Sequence, residues 1–181
     1  DFERYEARIE ATNYALAHDD GLDVDYNQSD VVLVGVSRSG KTPTCLYMAL
    51  HYGVCAANYP LTDDDLDKLD LPARLPPYRS RPFGLTIDPE RLAQIHEQLR
   101  PRSRYATLTQ CRWELVQADR LMRRAHIPSL YTTHPSIEAL SSKLFECIGI
   151  DRTVYLENAA PHDCPDRTRP THAPAPSRGP L

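Results

Sequence analysis

Eight consecutive residues, 35 to 42, have the types and the spacing needed to bind phosphate. They read Gly-Val-Ser-Arg-Ser-Gly-Lys-Thr and match the pattern G-x-x-x-x-G-K-[ST] in full. Gly35 and Gly40 allow a tight turn with inward-pointing backbone N–H groups, at the start of a helix whose dipole attracts anions. Lys41 is suited to the terminal phosphates, and the hydroxyl of Thr42 is suited to Mg²⁺. The pattern therefore predicts a nucleotide phosphate as the ligand.

The segments on either side of this motif should place it between a strand and a helix. The apolar run 31–34 suits a buried strand, and Pro43 fits the first turn of a helix, where its missing N–H costs no hydrogen bond. We call residues 35–42 the motif loop. Its predicted binding residues are Gly35, Val36, Ser37, Arg38, Ser39, Gly40, Lys41 and Thr42.

Helical and strand patterns alternate along the rest of the chain. The predicted helices are 2–18, 42–52, 89–99, 107–125 and 136–147, and the predicted strands are 31–34, 54–57, 83–87 and 127–131. Strands that alternate with helices of this length favour a parallel sheet covered by helices. The predicted fold class is therefore α/β, with a parallel sheet flanked by helices, of the P-loop nucleotide-binding type.

Some segments carry more specific expectations. Phe2, Tyr5, Ile9 and Leu16 lie on one loosely helical stripe of the first helix, and Trp113 is assigned to the core with the stripe around it. Within the acidic run 61–66, the aspartates 63–65 are interpreted as a solvated segment, with contact to a basic patch on the partner as the alternative. Residues 71–82 are interpreted as a loop because prolines interrupt them.

Length and composition limit the domain count and the partners. The chain has 181 residues, of which 1–156 are predicted to form one domain and 157–181 a disordered tail containing six of the 16 prolines. A net charge of −4 argues against nucleic acid as the main partner. Five widely spaced cysteines indicate neither a disulfide framework nor a zinc site, which favours a reducing cytoplasm. No apolar run is long enough to span a membrane.

Five motifs in one order resemble a known family. The segment VVLVGVSRSGKTPT (31–44) is similar to the phosphate loop of the phosphoenolpyruvate synthase regulatory proteins and of their relatives that act on pyruvate, phosphate dikinase. The other four are ALAHDDG (15–21), AANYPLT (56–62), FGLTIDPERL (83–92) and RPRSRYA (100–106). The resemblance covers residues 2 to about 155. Family members carry a further N-terminal region before this segment, which we expect to be lacking here.

The resemblance implies a bifunctional enzyme. Its kinase activity would use ADP to phosphorylate a threonine of phosphoenolpyruvate synthase and inactivate it. Its phosphorylase activity would use inorganic phosphate to remove that group as pyrophosphate. Pyruvate, phosphate dikinase is the alternative protein substrate, and a homo-oligomer is left open. The motif loop alone also allows a small-molecule kinase, or a nucleotide-binding module without chemistry.

Phosphoryl transfer requires positioning, charge neutralisation and a base. Lys41 and Arg38 are the predicted catalytic cations, and Mg²⁺ is expected on Thr42. For the base the chain offers His18, Asp19, Asp20 and Asp88, of which Asp20 is preferred. Each has a structural alternative, because Asp88 could cap a helix, Asp19 and Asp20 could belong to a turn, and His18 could bond to carbonyls at a helix end.

Arginines outside the motif loop are further candidates for phosphate recognition. Arg102 and Arg104 lie in the basic segment 100–104, which folding could bring close to the transferred group. The alternative for both is exposure to solvent.

Overall fold

A computed structural model of the chain describes residues 2–19, 26, 29–70, 75 and 81–148. The predicted tail and Asp20 lie outside the described residues. The elements in chain order are α1 (Phe2–Ala17), β1 (Val31–Gly35), α2 (Lys41–Tyr52), β2 (Ala56–Pro60), α3 (Asp63–Lys68), β3 (Arg81–Thr86), α4 (Pro89–Leu99), α5 (Leu108–Arg124), β4 (Ser129–Tyr131) and α6 (Ile137–Ile148). A single 3₁₀ turn, Arg104–Ala106, lies between α4 and α5.

The four described strands form one parallel sheet in the order β2-β1-β3-β4. All five residues of β1 are buried, as expected for a central parallel strand covered by helices on both faces. Helices α1, α2 and α6 form one packed group, and α3, α4 and α5 form another. The predicted α/β class, with a parallel sheet flanked by helices, is confirmed.

The first helix buries a different face from the one that its large apolar residues indicate. Its buried residues are Ala11, Tyr14 and Ala15. The predicted apolar stripe is exposed to solvent: Phe2 71%, Tyr5 62%, Ile9 41% and Leu16 57%. The small alanine side chains allow α1 to pack closely on α2, so the face with less apolar area is the one that this packing uses.

Two further expectations differ from the structure, because Trp113 is not in the core and one of the aspartates 63–65, Asp65, is buried while the other two are exposed. Trp113 is 36% exposed, while Cys111, Leu115, Ala118 and Met122 of the same helix are buried. The acidic run contains the helix α3, in which Asp65 is only 9% exposed because its carboxylate accepts hydrogen bonds from the backbone N–H of Thr62 and the hydroxyl of Tyr59. Thr62 and Asp65 form a capping box, a signal already present in the spacing T-x-x-D.

Most element boundaries lie within two residues of the predicted ones, and the strand after α2 differs most. It was predicted at 54–57 and runs from Ala56 to Pro60, because Val54 follows the left-handed Gly53 that ends α2. Strand β3 begins at Arg81, inside the predicted loop. Within the described part of the chain, no helix combines the length and apolar character needed to cross a membrane.

Candidate active site

The motif loop lies at the carboxyl edge of the sheet, where the neighbouring strands also end. The backbone N–H of Leu61, after β2, donates to the carbonyl of Gly35 at 2.9 Å. The hydroxyl of Thr132, after β4, donates to the carbonyl of Ser39 at 3.0 Å. Crevices outside the carboxyl ends of parallel strands are the usual ligand sites of α/β sheets, so the fold places the motif where a ligand would bind.

The two glycines of the motif are needed for different reasons. Gly40 has φ 89°, in the left-handed region, and caps the start of α2 without any side-chain hydrogen bond. Gly35 needs no left-handed conformation. A Cβ at position 35 would instead collide with the carbonyl oxygen of Leu85 on β3 and lie 2.8 Å from the hydroxyl of Ser39. The expectation that both glycines supply turn flexibility is therefore corrected, since Gly35 is required for close approach of two strands.

We expect Gly35→Ala to lower the free energy of unfolding by about 1–3 kcal/mol, because the added methyl group overpacks backbone that cannot move aside. Denaturant unfolding followed by circular dichroism measures the change. Gly40→Asn is the matched comparison. Asparagine tolerates left-handed backbone, and a Cβ at position 40 would lie at ordinary contact distance from the side chain of Thr132. An unchanged midpoint for Gly35→Ala would contradict this account.

Lys41 is buried beneath the motif loop, with 3% of its surface exposed. Its ammonium donates to the carbonyl of Val36 at 2.5 Å and to the hydroxyl of Ser39 at 3.3 Å. The pKa of Lys41 is lowered from 10.5 to about 8, mainly because its ammonium is buried; Cys45 and Asp19 oppose this shift, and the nearby charge of Arg38 adds to it. A buried cation that lacks a direct carboxylate partner is well prepared for an anionic ligand.

Three polar side chains meet beside Lys41, one from the segment after α1, one from α2 and one from β2. The hydroxyl of Thr42 donates to Oδ1 of Asp19 at 2.6 Å. Nδ2 of Asn58, on β2, donates to Oδ1 of Asp19 at 2.8 Å and to Oγ1 of Thr42 at 3.1 Å. Oδ1 of Asn58 is buried and has no hydrogen-bond partner among the described residues. We call Asp19, Thr42 and Asn58 the polar triad.

A cavity of about 490 Å³, the loop cavity, joins these groups. Its volume falls within the usual range for small-ligand sites. Its walls are Asp19, Ser37, Arg38, Gly40, Lys41, Thr42, Pro43, Asn58, Pro60 and Ile95. Arg38 has φ 66°, which is uncommon for a residue with a side chain and occurs often at functional sites.

The structure separates the candidate bases. Asp19 lines the loop cavity, whereas the preferred Asp20 lies outside the described residues. His18 is 2% exposed, stacks on Tyr14 with ring centroids 3.8 Å apart, and places Nδ1 2.7 Å from the Tyr14 carbonyl. Asp88 caps α4 by accepting from the backbone N–H groups of Glu90 and Arg91. His18 and Asp88 thus take their structural alternatives.

The arginines of the segment 100–104 are also separated. Arg100 lines a second cavity next to the motif loop, although the sequence argument favoured Arg102 and Arg104. Arg104 lines a surface groove that contains Asp63 and Asp67, whose carboxylates compete with any anion. The backbone N–H of Arg102 donates to the carboxylate of Glu97. Neither Arg102 nor Arg104 is among the described residues that line the two cavities beside the motif loop.

Asn58 is the residue that sequence reasoning missed. It is 5% exposed on an otherwise apolar strand, and an amide in such a strand was the available signal. The thiol of Cys45, one turn after Lys41, is not a candidate nucleophile, because burial raises its pKa to about 12.

The oxygen atoms of the polar triad fit a hard cation. Carboxylate, hydroxyl and amide oxygens are the ligands that Mg²⁺ prefers, and the unpartnered Oδ1 of Asn58 is one of them. The described residues contain no group of three or more His, Cys, Asp and Glu side chains that could hold a metal by themselves. Mg²⁺ would therefore depend on phosphate oxygens from the ligand as well.

The fold and the site define an α/β protein with a cavity at the carboxyl edge of its parallel sheet, lined by Lys41 and Arg38. The chain belongs to the kinase/pyrophosphorylase family, whose family model matches residues 2–145. This confirms the resemblance found in the motifs.

Relatives from three genera share the same name, "Putative phosphoenolpyruvate synthase regulatory protein". The proteins from Stenotrophomonas maltophilia strain K279a, Xanthomonas euvesicatoria pv. vesicatoria strain 85-10 and Xylella fastidiosa strain M12 are each 56% identical to the chain over 155 residues. The aligned part covers 86% of this chain and 57% of each relative. The chain thus spans little more than half the length of these relatives.

Proposed function

We propose that the protein is a bifunctional ADP-dependent serine/threonine kinase and phosphate-dependent, pyrophosphate-forming phosphorylase that acts on phosphoenolpyruvate synthase. The family's name supports both activities, and the names of the relatives support the protein substrate. The observation that carries the proposal is the buried Lys41 beside the polar triad, in one cavity at the edge of the sheet.

In the kinase direction, the motif loop would hold the diphosphate of ADP. Lys41 and Arg38 neutralise the charge that spreads over the phosphoryl oxygens in the transition state. The threonine oxygen attacks the β-phosphorus, the bond to the bridging oxygen of AMP breaks, and AMP leaves. Asp19 is our candidate to accept the threonine proton. Only its Oδ1 is used by Thr42 and Asn58 among the described residues, which leaves Oδ2 for this role.

In the phosphorylase direction, the same loop would hold inorganic phosphate. An oxygen of hydrogenphosphate attacks the phosphorus of phosphothreonine, and the bond from that phosphorus to the threonine oxygen breaks. The proton of hydrogenphosphate ends on the threonine oxygen, so the products are threonine and pyrophosphate. The same anion-binding loop then serves both reactions, because each reaction needs the same charges placed around the transferred phosphoryl group.

Asp19, Thr42 and Asn58 are the residues that would hold Mg²⁺ with the ligand's phosphates. When bound, the ion would neutralise phosphate charge and orient the diphosphate.

The decisive experiment compares phosphoryl donors on the protein substrate. We expect purified phosphoenolpyruvate synthase to be labelled on threonine by β-³²P-ADP with the 181-residue protein, and not by γ-³²P-ATP. Addition of inorganic phosphate should release the label as pyrophosphate, which thin-layer chromatography detects. Pyruvate, phosphate dikinase is assayed in parallel as the alternative substrate.

Each other outcome contradicts the proposal in a distinct way. Labelling from ATP alone would indicate a different kinase. Labelling of the dikinase but not of the synthase would assign the alternative protein substrate. Nucleotide binding without labelling of either protein would leave a binding module.

A further inference from the structure

A second cavity, of about 360 Å³, lies directly beside the loop cavity. We call it the Arg100 cavity. Its walls are Ser37, Arg38, His96, Leu99, Arg100, Ser103 and Tyr105. Ser37 and Arg38 line both cavities, so a group bound in one lies next to a group bound in the other.

The charge of the Arg100 cavity is positive. Arg38 and Arg100 line it, and the described residues of its lining include no carboxylate. The loop cavity includes Asp19, and the groove around Arg104 includes Asp63 and Asp67. Of these three sites, the Arg100 cavity is the one whose described lining residues include positive charges but no negative ones. This lining favours an anion.

Two residues that line this cavity each carry a buried side-chain atom without a hydrogen-bond partner among the described residues. Nε2 of His96 and Oγ of Ser103 are both inaccessible to solvent and make no hydrogen bond to any described residue. Buried polar groups are normally paired, and those that are not often mark a position where a ligand binds. Burial and then the charge of Arg38 lower the pKa of His96, which favours its neutral imidazole, and an anion placed between Arg38 and His96 would oppose this shift and favour the protonated ring.

The elements that form the cavity hold these groups in place. His96 and Leu99 lie on the last turn of α4, and Tyr105 lies in the 3₁₀ turn that packs against it. The hydroxyl of Tyr105 donates to the carboxylate of Asp63 at 3.3 Å, which fixes its ring on one side of the cavity.

We propose that the Arg100 cavity binds the phosphoryl group of a phosphothreonine on the protein substrate, with Arg100, Arg38 and His96 as its ligands. This assignment rests on the proposed function, in which phosphothreonine must lie next to a phosphate held by the motif loop. The shared residues Ser37 and Arg38 supply that adjacency. The proposal concerns binding, and the transfer step is the one given above.

Direct binding of a small probe tests the assignment without any transfer reaction. The probe is N-acetyl-O-phosphothreonine methylamide, and its dissociation constant is measured by titration of ¹³C-histidine-labelled protein in an NMR experiment. We expect the probe to shift the imidazole resonance of His96, which is identified by its loss in His96→Gln. Arg100→Gln should weaken probe binding at least about tenfold, because a charge-assisted hydrogen bond is lost.

Matched variants make the result specific. Arg91→Gln removes an exposed arginine of the same helix that lines neither cavity, and it should change the dissociation constant less than about twofold. Lys41→Met, which removes the buried cation of the motif loop, should weaken binding of the probe less than Arg100→Gln does. Circular dichroism confirms that each variant is folded.

Four results would overturn the assignment. These are equal binding of the unphosphorylated analogue, equal effects of Arg100→Gln and Arg91→Gln, binding that depends on Lys41 but not on Arg100, and binding that leaves the His96 resonance unmoved. Inorganic phosphate that binds as tightly as the probe, with the same dependence on Arg100, would assign the cavity to free phosphate instead. Failure of the ADP labelling experiment would not change these readouts, so the two proposals fail separately.

Discussion

Replacing Lys41 by methionine is expected to lower both transfer reactions by about 10³-fold. Methionine keeps the length of the buried side chain but removes the charge that the transferred phosphoryl group needs. Initial rates with β-³²P-ADP, and separately with inorganic phosphate and the phosphorylated synthase, measure the two directions. Lys68→Met is the control, because Lys68 is exposed and pairs with the exposed Asp64 of its own helix, so both rates should be unchanged.

The same variant should not lose stability. Lys41 has a pKa of about 8 in the folded protein against 10.5 as its ordinary value, so between these pH values the unfolded chain binds more protons. The contribution of Lys41 to stability should therefore rise with pH across this window, by about 3 kcal/mol, and the burial of its charge costs that amount below pH 8. Cys45 acts in the opposite direction above pH 9, because its pKa is raised from 9.0 to about 12, so the Lys41 contribution is read as the difference between the wild type and Lys41→Met. In Lys41→Met this rise should vanish, and the free energy of unfolding at pH 7 should equal or exceed that of the wild type.

These two measurements separate function from folding. A variant that is inactive and unfolded would mean that Lys41 is a structural residue. A variant that is folded and retains its rates in both directions would remove Lys41 from the mechanism.

The repeating pattern of the chain was enough to predict most of the fold, because burial enforces it. The run 31–34 is apolar at every position, as a central parallel strand must be, and the cap Asp88 with Pro89 fixed the start of α4. The short helix α3 was missed because the three consecutive aspartates at its start, 63–65, suggested solvation. Asp65 can be buried because its carboxylate accepts hydrogen bonds from Thr62, its partner in the capping box, and from Tyr59 on the neighbouring strand.

The choice between two candidate faces could not be made from local sequence. Helix α1 has apolar residues on opposite sides, and packing against α2 selects the side with Ala11 and Ala15. Trp113 likewise lies beside the buried stripe of α5 without joining it. Both outcomes depend on which neighbour each helix meets, and periodicity alone does not contain that information.

The candidate site, like the fold, could be predicted only in part from the sequence. The motif loop was visible as eight contiguous residues, whereas the polar triad joins Asp19, Thr42 and Asn58 from three parts of the chain. Asp19 and Asp20 are adjacent in an acidic pair, so their order along the chain could not show which carboxylate meets Thr42. Pairing of β1 with β2 brings Asn58 beside the loop, and that register appears only in the folded sheet.

Asp19→Asn is expected to lower both transfer rates by about 10²-fold or more. Asparagine preserves the size of the side chain and can still accept from Thr42, but it cannot take a proton or supply a negative charge to Mg²⁺. Rates are measured as a function of Mg²⁺ concentration. Loss of the maximal rate at saturating Mg²⁺ indicates the role of base, whereas a rate recovered by more Mg²⁺ indicates a role in holding the ion.

Asp88→Asn is the matched control, since it makes the same chemical change in a carboxylate that caps α4. Asparagine is also a good cap, so this variant should keep both rates and most of the stability. If Asp19→Asn kept full rates at every Mg²⁺ concentration, Asp19 would have neither role. The hydrogen bonds of the polar triad would then serve only to join the segment after α1 to α2 and β2, and the base would have to come from outside the described residues.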